Sequence, residues 1–166
     1  MKWTTLILIA SSVACAAKND DLGAANCSID GLSGIASATM DGDAWQADGG
    51  TWNMTGSGIQ INLRFEDVER SMTVRGTRDG QGIDISDRIA ADEFPINVSL
   101  SGEDGTGGVL DNRFNVSYAS NDASGSLSIL DLKDSTLSAC FSFVAVSDDS
   151  VMMEVTQGMA QVEQLN

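Results

Sequence analysis

Histidine is absent from this 166-residue sequence, and proline occurs only once. Without histidine the chain has no Ser-His-Asp or Cys-His catalytic set, no histidine-bound zinc and no ordinary proton shuttle near neutral pH. The sequence also lacks a glycine-rich phosphate loop, a Cys-x-x-Cys pair and a nucleophile elbow. We therefore predict that the protein is not an enzyme and that it has no resident organic cofactor.

Basic residues are scarce as well. The chain has 9 Lys and Arg against 24 Asp and Glu, which gives a formal net charge of −15. Nucleic acids and anionic headgroups are bound largely by basic side chains that neutralise phosphates. We therefore expect no nucleic-acid partner, and we interpret the acidic surface as a source of solubility.

The beginning of the chain has the order of a secretory signal peptide. Lys2 supplies one positive charge, residues 6–10 are apolar, and small residues follow up to Ala17. The apolar run is much shorter than the roughly 20 residues that a helix needs to cross a bilayer. This pattern predicts an exported protein without a permanent membrane-spanning helix.

Residues 12–15, Ser-Val-Ala-Cys, resemble the lipobox of bacterial lipoproteins, with serine where leucine is usual. The resemblance implies a signal peptide over residues 1–14, acylation of Cys15, a tether over 15–27 and attachment to the membrane through the lipid. Ala16 after the cysteine resembles an outer-membrane sorting signal. The alternative is ordinary cleavage after Ala16, which would produce a soluble periplasmic or secreted protein.

Two further cysteines, Cys27 and Cys140, follow the export segment. An oxidising compartment permits a disulfide between them, whereas two buried free thiols are the alternative. A disulfide that closes so long a loop would stabilise the fold by about 4–5 kcal/mol in the chain-entropy limit.

Apolar and polar residues alternate with period two through most of residues 28–166, as expected of half-buried strands. The run 137–146 is apolar on both faces, which predicts a central strand. Asp41-Gly42 predicts a hairpin turn, Gly158 predicts a bulge or bend, and residues 86–94 before Pro95 predict a short helix. These features indicate one all-β domain over 28–166, an antiparallel β-sandwich or flattened β-barrel of about nine to ten strands.

A family resemblance accompanies this pattern. Residues 41–45, Asp-Gly-Asp-Ala-Trp, are similar to the DGxxW motif that opens a family of uncharacterised bacterial lipoproteins. Residues 125–146 and the segment 155–159 resemble the later strands of that family, with Met159 where an aromatic residue is usual. The resemblance implies a lipid-anchored, surface-exposed β-domain. It implies no activity and no functional residues.

Three kinds of ligand site have candidate residues in the sequence. Calcium requires clustered oxygen ligands, for which the turn with Asp41, Asp43 and Asp48 is the candidate, although no EF-hand spacing is present. A sugar site needs exposed aromatic platforms and polar neighbours, and its candidate residues are Trp45, Trp52 and Tyr118. An apolar ligand would need a cavity inside a barrel, although such side chains usually pack against one another; its candidate lining is Ile59, Leu63, Phe65, Val98 and Phe114.

We therefore expect a cell-envelope lipoprotein whose β-domain has a non-enzymatic binding or structural role, with an envelope protein or a glycan as its partner. The alternative is an exported carbohydrate-binding protein or a β-barrel carrier of a small apolar ligand. A deep cavity beside Phe65 and Phe114 would favour the carrier, whereas an exposed Trp52 beside carboxylates would favour sugar recognition. A solid core without a groove would favour a structural module.

Overall fold

A computed structural model describes residues 27–32, 34–56, 58–119 and 125–165. The predicted signal peptide, the predicted acylation site Cys15 and nearly all of the predicted tether therefore lie outside the described residues. The described ranges contain one short helix, α1 (Ile85–Ala90), and eleven strands. The strands are β1 (Ala36–Met40), β2 (Asp43–Ala47), β3 (Gly49–Thr55), β4 (Gln60–Glu66), β5 (Arg70–Gly76), β6 (Ile96–Ser99), β7 (Gly105–Asp111), β8 (Val116–Ala119), β9 (Gly125–Lys133), β10 (Thr136–Ser147) and β11 (Met152–Gln164).

The strands form one sheet in the order β2-β1-β11-β3-β4-β5-β7-β8-β10-β9-β6, and an additional pairing of β10 with β11 closes part of it into a ring. The all-β prediction is confirmed, with eleven strands rather than nine or ten. One pairing is parallel: β11 runs beside β3 at Glu163 and Gln164. This pairing arises because β11 is long enough to pair with β1 first and with β3 near its end.

On the central strands, apolar and polar residues that alternate in the sequence point alternately into the core and outward. On β4, Ile61, Leu63 and Phe65 are fully buried, and the residues between them point outward. The neighbouring β5 repeats this pattern with Met72 and Val74 inside. One contiguous apolar core results, and the outward side chains of adjacent strands form a common polar face.

The central position predicted for residues 137–146 is confirmed. Strand β10 pairs with β11 along one edge and with β9 and then β8 along the other. Side chains from both of its faces are buried, including Phe141, Phe143 and the polar Ser138 and Ser142.

The predicted bulge at Gly158 is also confirmed. On β10 one residue separates Phe141 from Phe143, but their partners on β11, Gly158 and Val155, are separated by two. A Cβ atom on Gly158 would lie 2.4 Å from ring carbons of Phe141. Glycine is therefore required here because the aromatic ring approaches the backbone.

The predicted helix is present but begins earlier and is shorter than residues 86–94. Asp84 rather than Ser86 occupies the N-cap position, and the helix ends at Ala90. Ile85, its first residue, is fully buried, so packing against the sheet determines where the helix begins. No helix within the described ranges has the length and apolarity needed to cross a membrane.

The inward position expected for Phe114 is wrong. Phe114 is 72% exposed and lies in the turn before β8, where Asn115 has a φ of 52°. The left-handed conformation of Asn115 breaks the extended backbone that the alternating residues 113–118 predict, so strand β8 begins only at Val116. The ring of Phe114 lies against the guanidinium group of Arg113, 5.3 Å from the ring centroid.

Cys27 and Cys140 form a disulfide, with their Cα atoms 6.0 Å apart. It joins the first described residues to the middle of β10 across 113 positions of sequence. The two-thiol alternative is thereby excluded.

Candidate binding face

A shallow concavity of about 650 Å³ lies on the outer side of β3, β4, β5 and β7. We call this surface the arginine face because Arg64 and Arg75 point from it. Its remaining lining consists of hydroxyl and amide side chains with two leucines: Thr51, Asn53, Thr55, Gln60, Asn62, Ser71, Thr73, Leu110 and Leu165. Nine of its eleven lining residues are therefore polar, on a fold whose opposite sheet surface packs into the core.

Strand register arranges these side chains in rows. Asn53 lies opposite Asn62, which lies opposite Arg75, which lies opposite Thr106. The next row runs through Thr51, Arg64 and Thr73. Because neighbouring strands are about 4.8 Å apart, the first row extends about 14 Å across four strands. The arginine face is thus a grid of polar side chains on a rigid sheet.

The surface continues over β7 and β8. A second concavity of about 320 Å³ shares Ser71, Thr73, Arg75 and Leu110 with the first. It also includes Tyr118, which is half-buried and packs partly against the core. Arg75 therefore stands between the two concavities, at the centre of the combined surface.

Several polar groups of this face are free to bind a ligand. Asn62 Nδ2 donates to Thr55 Oγ1 at 2.7 Å, and Thr55 Oγ1 donates to Gln60 Oε1 at 3.2 Å, so these three side chains hold one another. Among the described residues, the side chains of Asn53 and Arg75 have no hydrogen-bond partner. The sheet fixes their positions while leaving their donors and acceptors unused.

The electrostatic character of the face differs from that of the whole chain. Neither concavity is lined by an Asp or a Glu, although these residues outnumber Lys and Arg by 24 to 9 in the sequence. At one edge of the face Glu163 lies opposite Thr51. At another edge Glu66 lies 3.4 Å from Arg64. Both of those side chains are more than half exposed, so the pairing is weak.

Two of the three aromatic side chains predicted to hold a sugar are in the core. Trp52 is 4% exposed, and its indole Nε1 donates to the carbonyl of Ser135 at 2.9 Å. Trp45 is 6% exposed, and its indole donates to the carboxylate of Asp67. Only Tyr118 borders a concavity, so the structure does not bring the three rings together as a platform.

The calcium candidates do not converge either. Asp41 occupies a tight turn with a φ of 50°, and its Oδ1 accepts the backbone N–H of Glu154 at 2.7 Å. Asp43 and Asp48 are exposed on separate parts of the chain. Within the described ranges no three His, Cys, Asp or Glu side chains are grouped as metal ligands. Asp41 therefore ties its turn to β11, and the described structure does not group the three carboxylates.

The buried carboxylates are engaged in local structure. Asp79 accepts the N–H groups of Gln81 and Ile83 at 2.8 Å each and the guanidinium of Arg88 at 2.7 Å. Burial alone would raise the pKa of Asp79, but these hydrogen bonds outweigh it and hold the pKa below its usual value. A carboxylate held ionised by three donors is suited to stabilising a loop rather than to proton transfer.

A second buried carboxylate lies where β5 and β7 pair. Hydrogen bonds from Arg113 lower the pKa of Asp111 despite its burial, and the charges of Arg113 and Arg70 add to the effect. Arg70 Nε is buried without a hydrogen bond, 3.5 Å from Asp111 Oδ2. This cluster links neighbouring strands and does not line the arginine face.

Aromatic side chains fill the interior where a carrier would hold its ligand. Phe65 stacks on Phe141 with ring centroids 5.4 Å apart, and Phe143 lies beside Phe141 at 6.5 Å. Leu63 and Val98 are buried in the same core, whereas Phe114 and Ile59 are outside it. Most of the residues expected to line a cavity therefore pack against one another.

The sequence contains a signal for the arginine face that the aromatic hypothesis missed. Residues 51–55 alternate, so Thr51, Asn53 and Thr55 must point away from the side that Trp52 occupies. These polar residues and the outward positions of β4 and β5 together predict the arginine face. The aromatic hypothesis instead relied on Trp52, whose side chain points to the opposite, inner side of β3.

Comparisons with protein-family models, with curated proteins and with solved structures find no match to this chain. The function is therefore inferred from the surface chemistry of the chain and from the sequence pattern of its first residues.

Proposed function

We propose that this protein is a cell-envelope lipoprotein, anchored through Cys15, whose β-domain binds a ligand through the arginine face without catalysing a reaction. The observation that carries the binding role is a polar concavity whose lining contains no carboxylate, on an acidic chain. The lipobox-like residues 12–15 and the DGxxW resemblance support the anchored location. The Cys27–Cys140 disulfide suits the oxidising compartment that export would reach.

The arrangement of the face favours binding over a purely structural role. A structural surface needs only solubility, which the abundant carboxylates elsewhere already supply. Here Asn53 on β3 and Arg75 on β5 lie on either side of Asn62 of β4, and both have unused hydrogen-bonding groups. Binding groups fixed before the ligand arrives lose little conformational entropy on binding, so a sheet is an effective scaffold for them.

The chemistry of the face also favours binding over catalysis. Its functional groups are amides, hydroxyls and guanidinium groups, none of which is an efficient general base at neutral pH. A serine or threonine nucleophile would need an adjacent base to activate it. No carboxylate lines the concavity to take that part, and the chain has no histidine.

A binding experiment with matched variants tests this proposal. The processed protein is applied to an array of envelope and plant polysaccharides, together with Asn53→Ala on the arginine face and Gln161→Ala on β11. We expect the wild type and Gln161→Ala to bind the same saccharides and Asn53→Ala to bind them at least several-fold more weakly. An equal response from all three proteins, or none from any, would contradict a saccharide-binding role for the face.

The anchor is tested separately by metabolic labelling with palmitate. The wild-type chain is expected to carry the label and to remain in the membrane fraction. The variant Cys15→Ser should lose both properties. A wild-type chain that is exported without label would show that the alternative cleavage after Ala16 is used.

A further inference from the structure

We propose that the ligand of the arginine face is an acidic polysaccharide and that Arg75 binds a carboxylate of its uronate units. This inference rests on the proposed binding function and assigns its ligand class. Asn53, Asn62 and Thr73 lie around Arg75 and offer hydrogen bonds to the sugar hydroxyl groups. A uronate chain presents both kinds of group, with a carboxylate on each ring and hydroxyls beside it.

Arg75 differs from every other basic residue in the described part of the chain. It has no ion-pair or hydrogen-bond partner there, and it is exposed. The other six basic residues each pair with at least one carboxylate: Arg64 with Glu66, Arg70 with Asp111, Arg78 with Asp84, Arg88 with Asp79 and Glu93, Arg113 with Asp111 and Glu69, and Lys133 with Asp131. A chain so rich in carboxylates leaves this guanidinium without one.

The second arginine of the face increases its affinity for anions. Arg64 lies opposite Thr73, and Thr73 is two residues from Arg75 on β5, so the two arginines are diagonal neighbours. Diagonal positions on paired strands are about 7–8 Å apart, close enough for like charges to repel. Glu66 pairs with Arg64 at 3.4 Å, but both side chains are more than half exposed, so this pair offsets the repulsion only weakly. An anionic ligand would relieve it and would gain charge-assisted hydrogen bonds.

The choice of a uronate follows from the neighbours of Arg75. A guanidinium group binds a carboxylate through two parallel N–H donors, which orients the acid as well as attracting it. Each amide side chain supplies donors and an acceptor, and each hydroxyl supplies both, which suits sugar hydroxyl groups. The row from Asn53 to Thr106 extends about 14 Å, long enough for an oligosaccharide rather than a single small ion.

Other anionic or polymeric partners fit this surface less well. Single-stranded nucleic acids are held by exposed aromatic rings and by several phosphate contacts. Here the bordering aromatic residue, Tyr118, is half-buried, and only two arginines point outward. Protein partners are usually held by buried aromatic or aliphatic anchors. This face has only Leu110 and Leu165 as apolar lining.

The acidic remainder of the chain contributes to selectivity. Asp and Glu elsewhere repel an acidic polymer, so the polymer is directed toward the concavity of the arginine face, whose lining contains no carboxylate. Repulsion and attraction both weaken as salt shortens the Debye length from about 10 Å at 0.1 M. We therefore expect binding to be sensitive to ionic strength.

Paired ligands that differ only in charge test the proposal. Isothermal titration with oligogalacturonate and with oligomeric alginate is compared with the methyl ester of each, which keeps the hydroxyls and removes the negative charge. The wild-type processed protein should bind at least one of the acids, with its ester about 10- to 100-fold weaker, as expected for loss of a charged hydrogen bond.

Variants identify the residue that responds to this charge. Arg75→Gln should weaken binding of the acid by about 10- to 100-fold and leave any binding of the ester unchanged. Arg75→Lys should recover part of the affinity. The matched control Arg78→Gln removes an exposed arginine outside the face and should have no effect. Unfolding midpoints equal to that of the wild type establish that each variant is folded.

The outcomes separate this inference from the proposed function. If acid and ester bind equally and Asn53→Ala weakens both, the face binds saccharides but the assignment of an acidic ligand is wrong. If neither acid binds, or if an oligonucleotide of equal charge binds as tightly, the uronate assignment is wrong. If no saccharide binds at all, or if neither Asn53→Ala nor Arg75→Gln alters binding, the proposed saccharide-binding role of the face fails as well.

Discussion

The two outer surfaces of this β-structure differ in what their side chains do. On the arginine face, β3, β4 and β5 present amides, hydroxyls and two arginines, with no carboxylate in the concavity. On the other side, which we call the disulfide side, β10 carries the Cys27–Cys140 disulfide, and its neighbours β9 and β11 carry Asp131 and Glu154. Both surfaces belong to strands whose inner residues share one core.

The comparison shows that covalent stabilisation and unused polar groups are located on different surfaces. The disulfide side is tied to the first described residues, and some polar side chains of β10, such as Ser138 and Ser142, are buried. The arginine face has no covalent link, and Arg75 at its centre has no partner among the described residues. Changes on the disulfide side should therefore alter stability, and changes on the arginine face should alter binding.

The largest expected loss of stability follows from removing the disulfide. Replacing Cys27 and Cys140 together by serine should lower the free energy of unfolding by about 4–5 kcal/mol in the chain-entropy limit, because the bond closes a loop of more than one hundred residues. Urea denaturation of the oxidised wild type and the double variant measures this difference. Coincident unfolding curves would show that the disulfide side does not have the stabilising role assigned to it.

A second prediction contrasts neighbouring residues of β3. Trp52→Ala should cost about 3–5 kcal/mol of unfolding free energy, because it leaves a cavity in the core and removes the hydrogen bond to Ser135. Asn53→Ala should change it by less than about 0.5 kcal/mol, since its side chain is on the outer surface. Thermal unfolding of both variants measures the contrast. Comparable losses from the two substitutions would mean that the inner and outer sides of β3 are wrongly assigned.

A third prediction concerns acid. The folded-state pKa of Asp79 and Asp111 lies below the usual value, so their ionised forms stabilise the fold above the unfolded-state pKa of about 4. This stabilisation should be lost as the pH falls from about 4 through the lower folded-state values. Denaturation at a series of pH values from 7 to 2 measures the loss. The variant Asp111→Asn should be less stable at pH 7 and should show a shallower decline, and an unchanged slope would contradict the role of Asp111.

The smallest expected effect on stability is at the centre of the arginine face. Arg75→Gln should change the free energy of unfolding by less than about 0.5 kcal/mol, because Arg75 is exposed and makes no ion pair in the described structure. Relief of its repulsion with Arg64 should make the change neutral or slightly stabilising at low salt. A loss of several kcal/mol in thermal or urea unfolding would show that Arg75 is part of the framework rather than of a binding surface.

Much of the fold was accessible from local sequence. Alternation predicted β4, the doubly apolar run predicted the central position of β10, and the cysteine count allowed the disulfide that the structure contains. Gly158 was recognised as a break in β11, and the approach of Phe141 explains why. These features depend on side-chain periodicity and on single residues, which sequence displays directly.

The binding face was not accessible in the same way. Sequence alternation assigns a side chain to one of two surfaces of its strand, but it does not say which strands are neighbours. Asn53, Asn62, Arg75 and Thr106 are far apart in sequence and form a row only because β3, β4, β5 and β7 pair in this register. The aromatic residues were predicted to form the site instead, but Trp45 and Trp52 are buried in the core.

The sequence by itself determined the all-β class, the acidic character, the lack of histidine chemistry and the alternation that buries Ile61, Leu63 and Phe65. These properties follow from composition and from the two-residue period of a strand. Only the tertiary structure decided that Phe114 is exposed, that Cys140 meets Cys27, and that Arg75 lines a concavity without carboxylates. Those outcomes depend on long-range strand pairing, in which residues distant along the chain become neighbours at about 4.8 Å.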